Sequence, residues 1–465
     1  MKKQKDTNSL SAAQRPLARR LISGASWATL SKVLTYPAGL ILTVFLARLL
    51  SAEAMGGYFL ATSLVAGCVA LVQLGMGRAL VKLIAKALAE SMHGVARQVV
   101  RVGISTVLIF ASVVAFAMVT LLGEPLLSML EGGEYLRQSL LWICLMMIAM
   151  AMVELFTEIL RGFHDLRGAS LLVDQLLQRL VLVSVLCVFW VSGIQLSLDD
   201  VLRYSFYSAA VAVVAGALMI RANISVLGDG SENIPLIDIY KLGPPFLILR
   251  INFWLFNMAG IWVLGMYRPL EEVALYGAAN IITSLVLASQ TIMNGVGAPV
   301  IVELFHKQRL GLLENIIRSA GFFALLPALS LTLLLLFLGE SVITLIYGSE
   351  YQQAANIMVV LAIGRCVAVF CGIPTTTLAM TNHQNLVMKT MLLLSALTLF
   401  AYFLLADRAG AFGVAVVTAV SIALQNLIMA FLVKHRLDVV TLPSVSPVMW
   451  QRFVQVLFKR NKTAE

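Results

Sequence analysis

The chain has 465 residues, 60% of them hydrophobic and only 12% charged, with a net charge of +10 and a mean hydropathy of +0.91. Soluble domains carry roughly 25% charged residues, so a water-facing exterior is excluded. Transmembrane barrels are excluded too, because their strands alternate polar and apolar residues over about 10 positions.

Taken in order, the chain begins with a basic leader carrying Lys2, Lys3, Lys5, Arg15, Arg19 and Arg20. The leader runs into an apolar stretch with no small-residue cleavage site, so no cleavable signal peptide is expected. A hydrocarbon core about 30 Å thick takes around 20 helical residues. Twelve segments meet that requirement: 26–46, 55–77, 102–122, 140–159, 171–191, 204–221, 241–266, 273–297, 318–338, 354–379, 387–406 and 410–433. The expected fold is therefore all-α, a polytopic membrane protein of twelve transmembrane helices in two six-helix lobes. The lobes are expected at 1–221 and 241–434, joined by a cytoplasmic linker at 222–240 that carries Gly228, Asp229, Gly230, Ser231 and Pro235, and followed by a basic tail at 435–465.

The halves repeat one another. LGEPLLSMLEGGEY at 122–135 returns as LGESVITLIYGSEY at 338–351, so that Leu122, Gly123, Glu124, Gly132, Glu134 and Tyr135 recur 216 positions on as Leu338, Gly339, Glu340, Gly348, Glu350 and Tyr351. A fainter echo at 218 sets Glu53 and Tyr58 against Glu271 and Tyr276, and Lys32 against Arg250. Six spans per half is an even number, which implies parallel repeats related by an axis along the membrane normal, as in many secondary transporters.

Charge follows topology. With the N-terminus inside, most of the 34 Lys and Arg fall on the cytoplasmic side, among them Arg78, Lys82, Lys86, Arg97, Arg101, Lys434, Arg436, Arg452, Lys459, Arg460 and Lys462. The outer loops hold Arg48, Arg137, Arg203, Arg268 and Arg408. This is the positive-inside pattern and sets both termini in the cytoplasm, so the basic balance reports orientation and not nucleic acid. In the tail, Trp450, Phe453, Val454 and Leu457 recur at helical spacing, which fits either a helix lying on an anionic leaflet or a partly disordered basic tail.

No phosphate-binding loop, HExxH motif or paired metal-ligand spacing is present, so neither cofactor nor metal is expected. The five cysteines, Cys68, Cys144, Cys187, Cys366 and Cys371, lie inside spans and define no disulfide framework. The five histidines map to cytoplasmic segments, and the short outer loops leave no room for a catalytic domain. Transport without catalysis is the expectation.

Ionisable residues within spans cost roughly 2.5–3.5 kcal/mol each to insert and mark function by default. Lys32 and Arg250 open the first span of each half, with no acid nearby in sequence. They either hold an anion in a cavity, for which Arg suits phosphate, or snorkel to the cytoplasmic interface. Arg365 lies mid-span and either faces a cavity or binds backbone carbonyls of a neighbouring helix. Glu154, Glu158, Asp174 and Arg179, with Arg161 one turn beyond Glu158, form either a structural charge cluster or a carboxylate site coupling an ion to transport. Span 8 carries a polar stripe of Asn280, Thr283, Ser284, Thr291 and Asn294, and span 2 offers Tyr58, Thr62 and Gln73. Polar groups do not face lipid unsatisfied. These residues therefore line a cavity or join helices to one another.

ARLLSAEAMGGYFLATS at 47–63, LGMGRAL at 74–80, RGFHDLRGAS at 161–170 and LIYGSEYQQAA at 345–355 resemble the bacterial polysaccharide-biosynthesis flippases, including O-antigen flippases, of the multidrug/oligosaccharidyl-lipid/polysaccharide exporter superfamily. The resemblance implies two six-helix lobes opening alternately to each side of the inner membrane. It implies a cavity lined by spans 1, 2, 7 and 8, with an undecaprenyl-pyrophosphate-linked oligosaccharide as substrate. Lys32 and Arg250 match the cations thought to hold the anionic head group in such proteins. A polymerase and a chain-length regulator are the protein partners that pathway implies. Lipid II flippases of the superfamily carry fourteen spans, for which this chain has no room. Multidrug members carry an acid in span 1, where this chain has Lys32. A cation-coupled exporter and a non-transporting scaffold of a polysaccharide assembly complex remain the alternatives.

Overall fold

The computed structural model describes residue 31, residues 33–228, residue 230, residues 232–241 and residues 243–444. Lys32, the basic leader and the tail segment around Trp450 lie outside the described residues. Among the described residues there is no strand. The spans are helices at Val33–Leu49, Ala52–Val72, His93–Ala117, Leu140–Gly162, Leu166–Val191, Leu198–Ser225, Gly243–Tyr267, Leu270–His306, Leu310–Tyr347 and Ala354–Phe370, followed by one helix of 54 residues, Gln384–Leu437. At 1.5 Å per residue that last helix is about 80 Å long, more than twice the hydrocarbon thickness. It is two spans, divided at Gly410 (φ 54°, ψ −143°). The described spans are then twelve, the number read from the sequence, and the fold is all-α.

The Gly410 break shows how ends inside a membrane protein are satisfied. The last carbonyls of span 11 and the first amides of span 12 lack intrahelical partners. Arg268 donates to the Asp407 carbonyl at 2.7 Å, and the Ala411 amide donates to Glu272 at 3.0 Å. Each charge sits at the end of the helix dipole that it complements.

Several boundaries differ from the hydropathy reading. Span 2 stops at Val72 and not at 77, because Leu74 (φ 49°) and Gly75 (φ 70°) are left-handed. A Cβ at Gly75 would also strike the backbone nitrogen of Leu247 at 2.6 Å. The glycine thus lets the end of span 2 lie backbone to backbone against the start of span 7. Beyond it the chain re-forms as an amphipathic helix, Met76–Ala89, with Arg78, Lys82 and Lys86 exposed. Spans 8 and 9 run past the expected ends, to His306 and from Leu310 to Tyr347.

The chain divides into two compact units. One contains the described residues of Met1–Phe45, Leu64–Leu127 and Leu136–Ile251; the other contains those of Leu46–Ser63, Ser128–Tyr135 and Asn252–Glu465. In the first, span 4 (Leu140–Gly162) is central and packs against spans 3 and 6 and the Met76–Ala89 helix. Its buried face runs through Met146, Met147, Ala149, Met150, Ala151, Met152 and Val153. Flexible methionines fill irregular gaps, and packing matters because lipid removes the hydrophobic drive between helices. In the second unit, span 10 (Ala354–Phe370) takes the central place, against spans 8, 9, 11 and 12. The linker is fastened to span 3: the Gln98 amide donates to the Ile234 carbonyl and accepts from the Ile234 amide, both at 2.9 Å, and Thr106 bonds Tyr240 at 2.8 Å.

Candidate functional site

The first unit holds an ion pair at membrane depth. Arg250 of span 7 donates through Nη2 to Glu154 Oε2 of span 4. The same oxygen accepts from the Gln73 amide of span 2 at 2.8 Å, and that amide also donates to the Ala151 carbonyl at 3.4 Å. Gly75 and Gly243 bring spans 2 and 7 close enough for Gln73 and Arg250 to share one carboxylate. Gln73 is buried at 3% exposure, whereas the Arg250 and Glu154 side chains keep 40% and 28% of theirs. Arg250 therefore has an acidic partner, 96 positions away in sequence, in place of the isolation that its sequence neighbourhood suggested.

One turn along span 4, Glu158 takes its charge partner from Arg161 at 2.5 Å, the i,i+3 pairing open to it on the helix. Arg179 of span 5 donates to the Thr35 carbonyl of span 1 at 3.3 Å. Asp174 stands exposed at a break in span 5, where it and Gln175 are both left-handed (φ 48° and 62°). The structure thus gathers Gln73, Glu154 and Arg250 into one cluster, sets Glu158 with Arg161 beside it, and directs Arg179 to span 1. Lys32, the other candidate cation, lies outside the described residues.

The second unit holds a cation of a different kind. Arg365 of span 10 is only 6% exposed. It donates to the Asn280 carbonyl at 2.7 Å, to the Asn280 side-chain oxygen and to the Thr283 hydroxyl. Arg365 thus binds a backbone carbonyl of a neighbouring helix, one of the two readings open for it. Nearby, Thr418 joins the hydroxyls of Tyr276 and Tyr402 at 2.9 and 2.8 Å, tying spans 8, 11 and 12 together.

Two residues of the span 8 polar stripe bond span 10, and a third bonds the short helix Pro374–Met380 that follows it. Asn280 and Thr283 serve Arg365, and Asn294 accepts from Thr376 at 2.6 Å. Ser284 and Thr291 donate to carbonyls of their own helix, at Ile281 (2.6 Å) and Leu287 (3.1 Å). Thr62 donates to the Tyr58 carbonyl at 2.9 Å, and the Tyr58 ring packs beside Phe59 with centroids 6.2 Å apart. Helix-to-helix bonding is thus the observed state of Asn280, Thr283 and Asn294.

One residue escaped the sequence reading. Gln290 donates to the Ala368 carbonyl at 3.0 Å and to the Gly372 carbonyl at 2.7 Å. The bond to Ala368 spans 78 positions, as does the Gln73 bond to Ala151, and each partner lies 217 positions from its counterpart. The repeat offset, carried through spans 2 and 8, would have matched the two glutamines.

The fold is shared with solved structures of membrane transporters. A multidrug resistance MATE family transporter of the MOP superfamily, solved in an inward-facing conformation, superposes with a TM-score of 0.70 over 88% of this chain and 94% of its own, at 15% identity. A mutant of the Vibrio cholerae MATE transporter VcmN gives 0.62 over 92% and 98%, at 16% identity. At such identities the likeness is one of fold. The family is fixed by sequence: the family model described as polysaccharide biosynthesis protein matches residues 21–305, more than half of the chain, and the protein belongs to that family. A curated relative, the capsular polysaccharide biosynthesis protein CapF of Staphylococcus aureus, is 26% identical over 170 residues, 36% of this chain and 39% of CapF. The match spans well under half the length of that relative.

Proposed function

We propose that the protein is a flippase that moves an undecaprenyl-pyrophosphate-linked oligosaccharide across the bacterial inner membrane by alternating access, in the assembly of a surface polysaccharide such as O-antigen, capsule or exopolysaccharide. The observation that carries this reading is Arg250: a permanently charged guanidinium in a membrane-spanning helix whose side chain keeps 40% of its exposure, in a chain of the polysaccharide biosynthesis family. An Arg at such depth is expensive unless it has work to do, and its fork suits a phosphate. Lys32, at the matching place in the first half, is the second cation for the pyrophosphate. Tyr58, Thr62, Gln73, Ser284 and Thr291 are the polar groups available for sugar hydroxyls. Arg365, Asn280, Thr283 and Asn294 serve in this reading as supports that hold spans 8 and 10 in register. The name of CapF favours capsule among the possible polymers. The positive-inside bias supports cytoplasmic termini, and the pathway implies a polymerase and a chain-length regulator nearby.

The test is complementation of a deletion strain. Arg250→Ala and Lys32→Ala, expressed at wild-type level, are expected to abolish surface polysaccharide together and to reduce it singly. Surface polymer retained in the double variant overturns the reading in favour of a non-transporting scaffold. Drug hypersensitivity of the deletion strain with intact surface polymer overturns it in favour of an exporter.

A further inference from the structure

Arg250 does not wait empty for its ligand. Its Nη2 is engaged by Glu154 alone among the acidic side chains, through a single carboxylate oxygen. A guanidinium carries five N–H donors in a planar fork, and this one keeps 40% exposure, so donors remain open on its accessible side. Glu154 is placed to stay where it is: Gln73, 3% exposed and tied to the Ala151 carbonyl, holds the very oxygen that Arg250 uses. Glu158, one turn away, is already matched by Arg161 at 2.5 Å and does not compete for Arg250. In the second half the matching Gln290 donates instead to the Ala368 and Gly372 carbonyls.

We propose that Glu154 is a built-in counter-ion that occupies Arg250 when the anionic head group is absent and competes with that head group for the guanidinium. The inference rests on Arg250 as the anion site. Its physical reason is the return half of a transport cycle. Once a pyrophosphate leaves, Arg250 would stand as an uncompensated charge in the membrane, and a carboxylate on a fixed amide tether restores neutrality. A transport site must bind strongly enough to capture and weakly enough to release. Competition from Glu154 sets that balance, making it a positioning residue that tunes affinity and release.

The experiment uses inorganic pyrophosphate titrated calorimetrically into the purified full-length protein. Wild type is expected to bind, Arg250→Ala to lose binding, and Glu154→Gln to bind up to about fivefold tighter, the effect of removing a competing pair worth about 1 kcal/mol. Glu154→Asp, which keeps the charge and shortens the tether, is expected to tighten binding less, and serves if the glutamine variant does not fold. In complementation, Glu154→Gln is expected to slow polymer export although it binds more tightly, a split that loss of a merely structural contact does not produce. Equal or weaker pyrophosphate affinity in both Glu154 variants, with Arg250→Ala still defective, overturns the competition while leaving Arg250 as the anion site. Wild-type binding unaffected by Arg250→Ala overturns both.

Discussion

The two halves of the chain build the same helix contact and then use it differently. In the first, Gln73 reaches from span 2 to the Ala151 carbonyl of span 4; in the second, Gln290 reaches from span 8 to the Ala368 carbonyl of span 10. Around this shared contact the charges diverge. The first half sets an accessible Arg250 against a carboxylate, and the second encloses Arg365 among neutral oxygens of Asn280 and Thr283. A buried charge must be hydrogen-bonded to persist, and Arg365 is. The Arg250–Glu154 pair keeps 40% and 28% of its side-chain exposure, whereas Arg365 is 6% exposed, so Arg250 is the more accessible of the two cations. In the proposed reading, one scaffold, duplicated, keeps a structural cation in one copy and a substrate-binding one in the other.

The largest effect that can break this comparison is on transport. Arg250→Ala is expected to lower export by roughly 10- to 100-fold, the worth of charge-assisted hydrogen bonds to an anion of about 1.5–3 kcal/mol. The melting temperature in detergent should move little. If Arg250→Ala instead unfolds the protein while export per folded molecule is unchanged, the two arginines have the same structural role and the contrast is lost.

Arg365 should behave in the opposite way. Arg365→Met removes donors to three acceptors; at about 0.6 kcal/mol for an average hydrogen bond within a membrane protein, the loss is about 2 kcal/mol. Thermal melting should report it, and Arg365→Lys should recover part of it. Export per folded molecule is expected to stay near wild type. A stable Arg365→Met protein that fails to export would return Arg365 to the substrate site.

How much of this could be read in the chain depends on the range of the interaction. The spans, the pseudo-repeat and the division between spans 11 and 12 were legible because hydropathy acts locally, but the role of Gly410 in that division was not. The candidates Arg250, Glu154, Gln73 and Arg365 stood out because each is polar in an apolar helix. Their partners did not. The Arg250–Glu154 contact crosses 96 positions and depends on Gly75 and Gly243 letting two backbones meet, which no local pattern announces. The spacing of the span 8 stripe was plain, but its partners were not: a helical stripe marks a face without saying what it faces, and here Asn280 and Thr283 bond Arg365 of span 10 while Asn294 bonds Thr376. Gln290 was legible in principle through the 217-residue offset and was passed over because a lone glutamine carries little signal.

A smaller effect separates the two halves at their outer turns. Gly193 and Gly410, also 217 positions apart, both have positive φ, 67° and 54°. Gly193 ends span 5 ahead of a short loop, and span 6 is then capped locally, with the Asp200 amide donating to the Ser197 hydroxyl at 3.2 Å. Gly410 has no loop after it, and the amide of Ala411 depends on Glu272 of span 8 at 3.0 Å. A Cβ at Gly193 would meet nothing within 4 Å, whereas one at Gly410 would strike the Glu272 carboxylate and lie 3.4 Å from Arg268 Nε. Gly193→Ala is therefore expected to cost about 1 kcal/mol, the strain of a left-handed alanine. Gly410→Ala should cost about 2–3 kcal/mol, because strain is joined by displacement of the side chains that satisfy both helix ends. Melting of the two variants side by side checks the difference. Equal losses would mean that Arg268 and Glu272 move aside freely, and that span 12 holds its N-terminus without them.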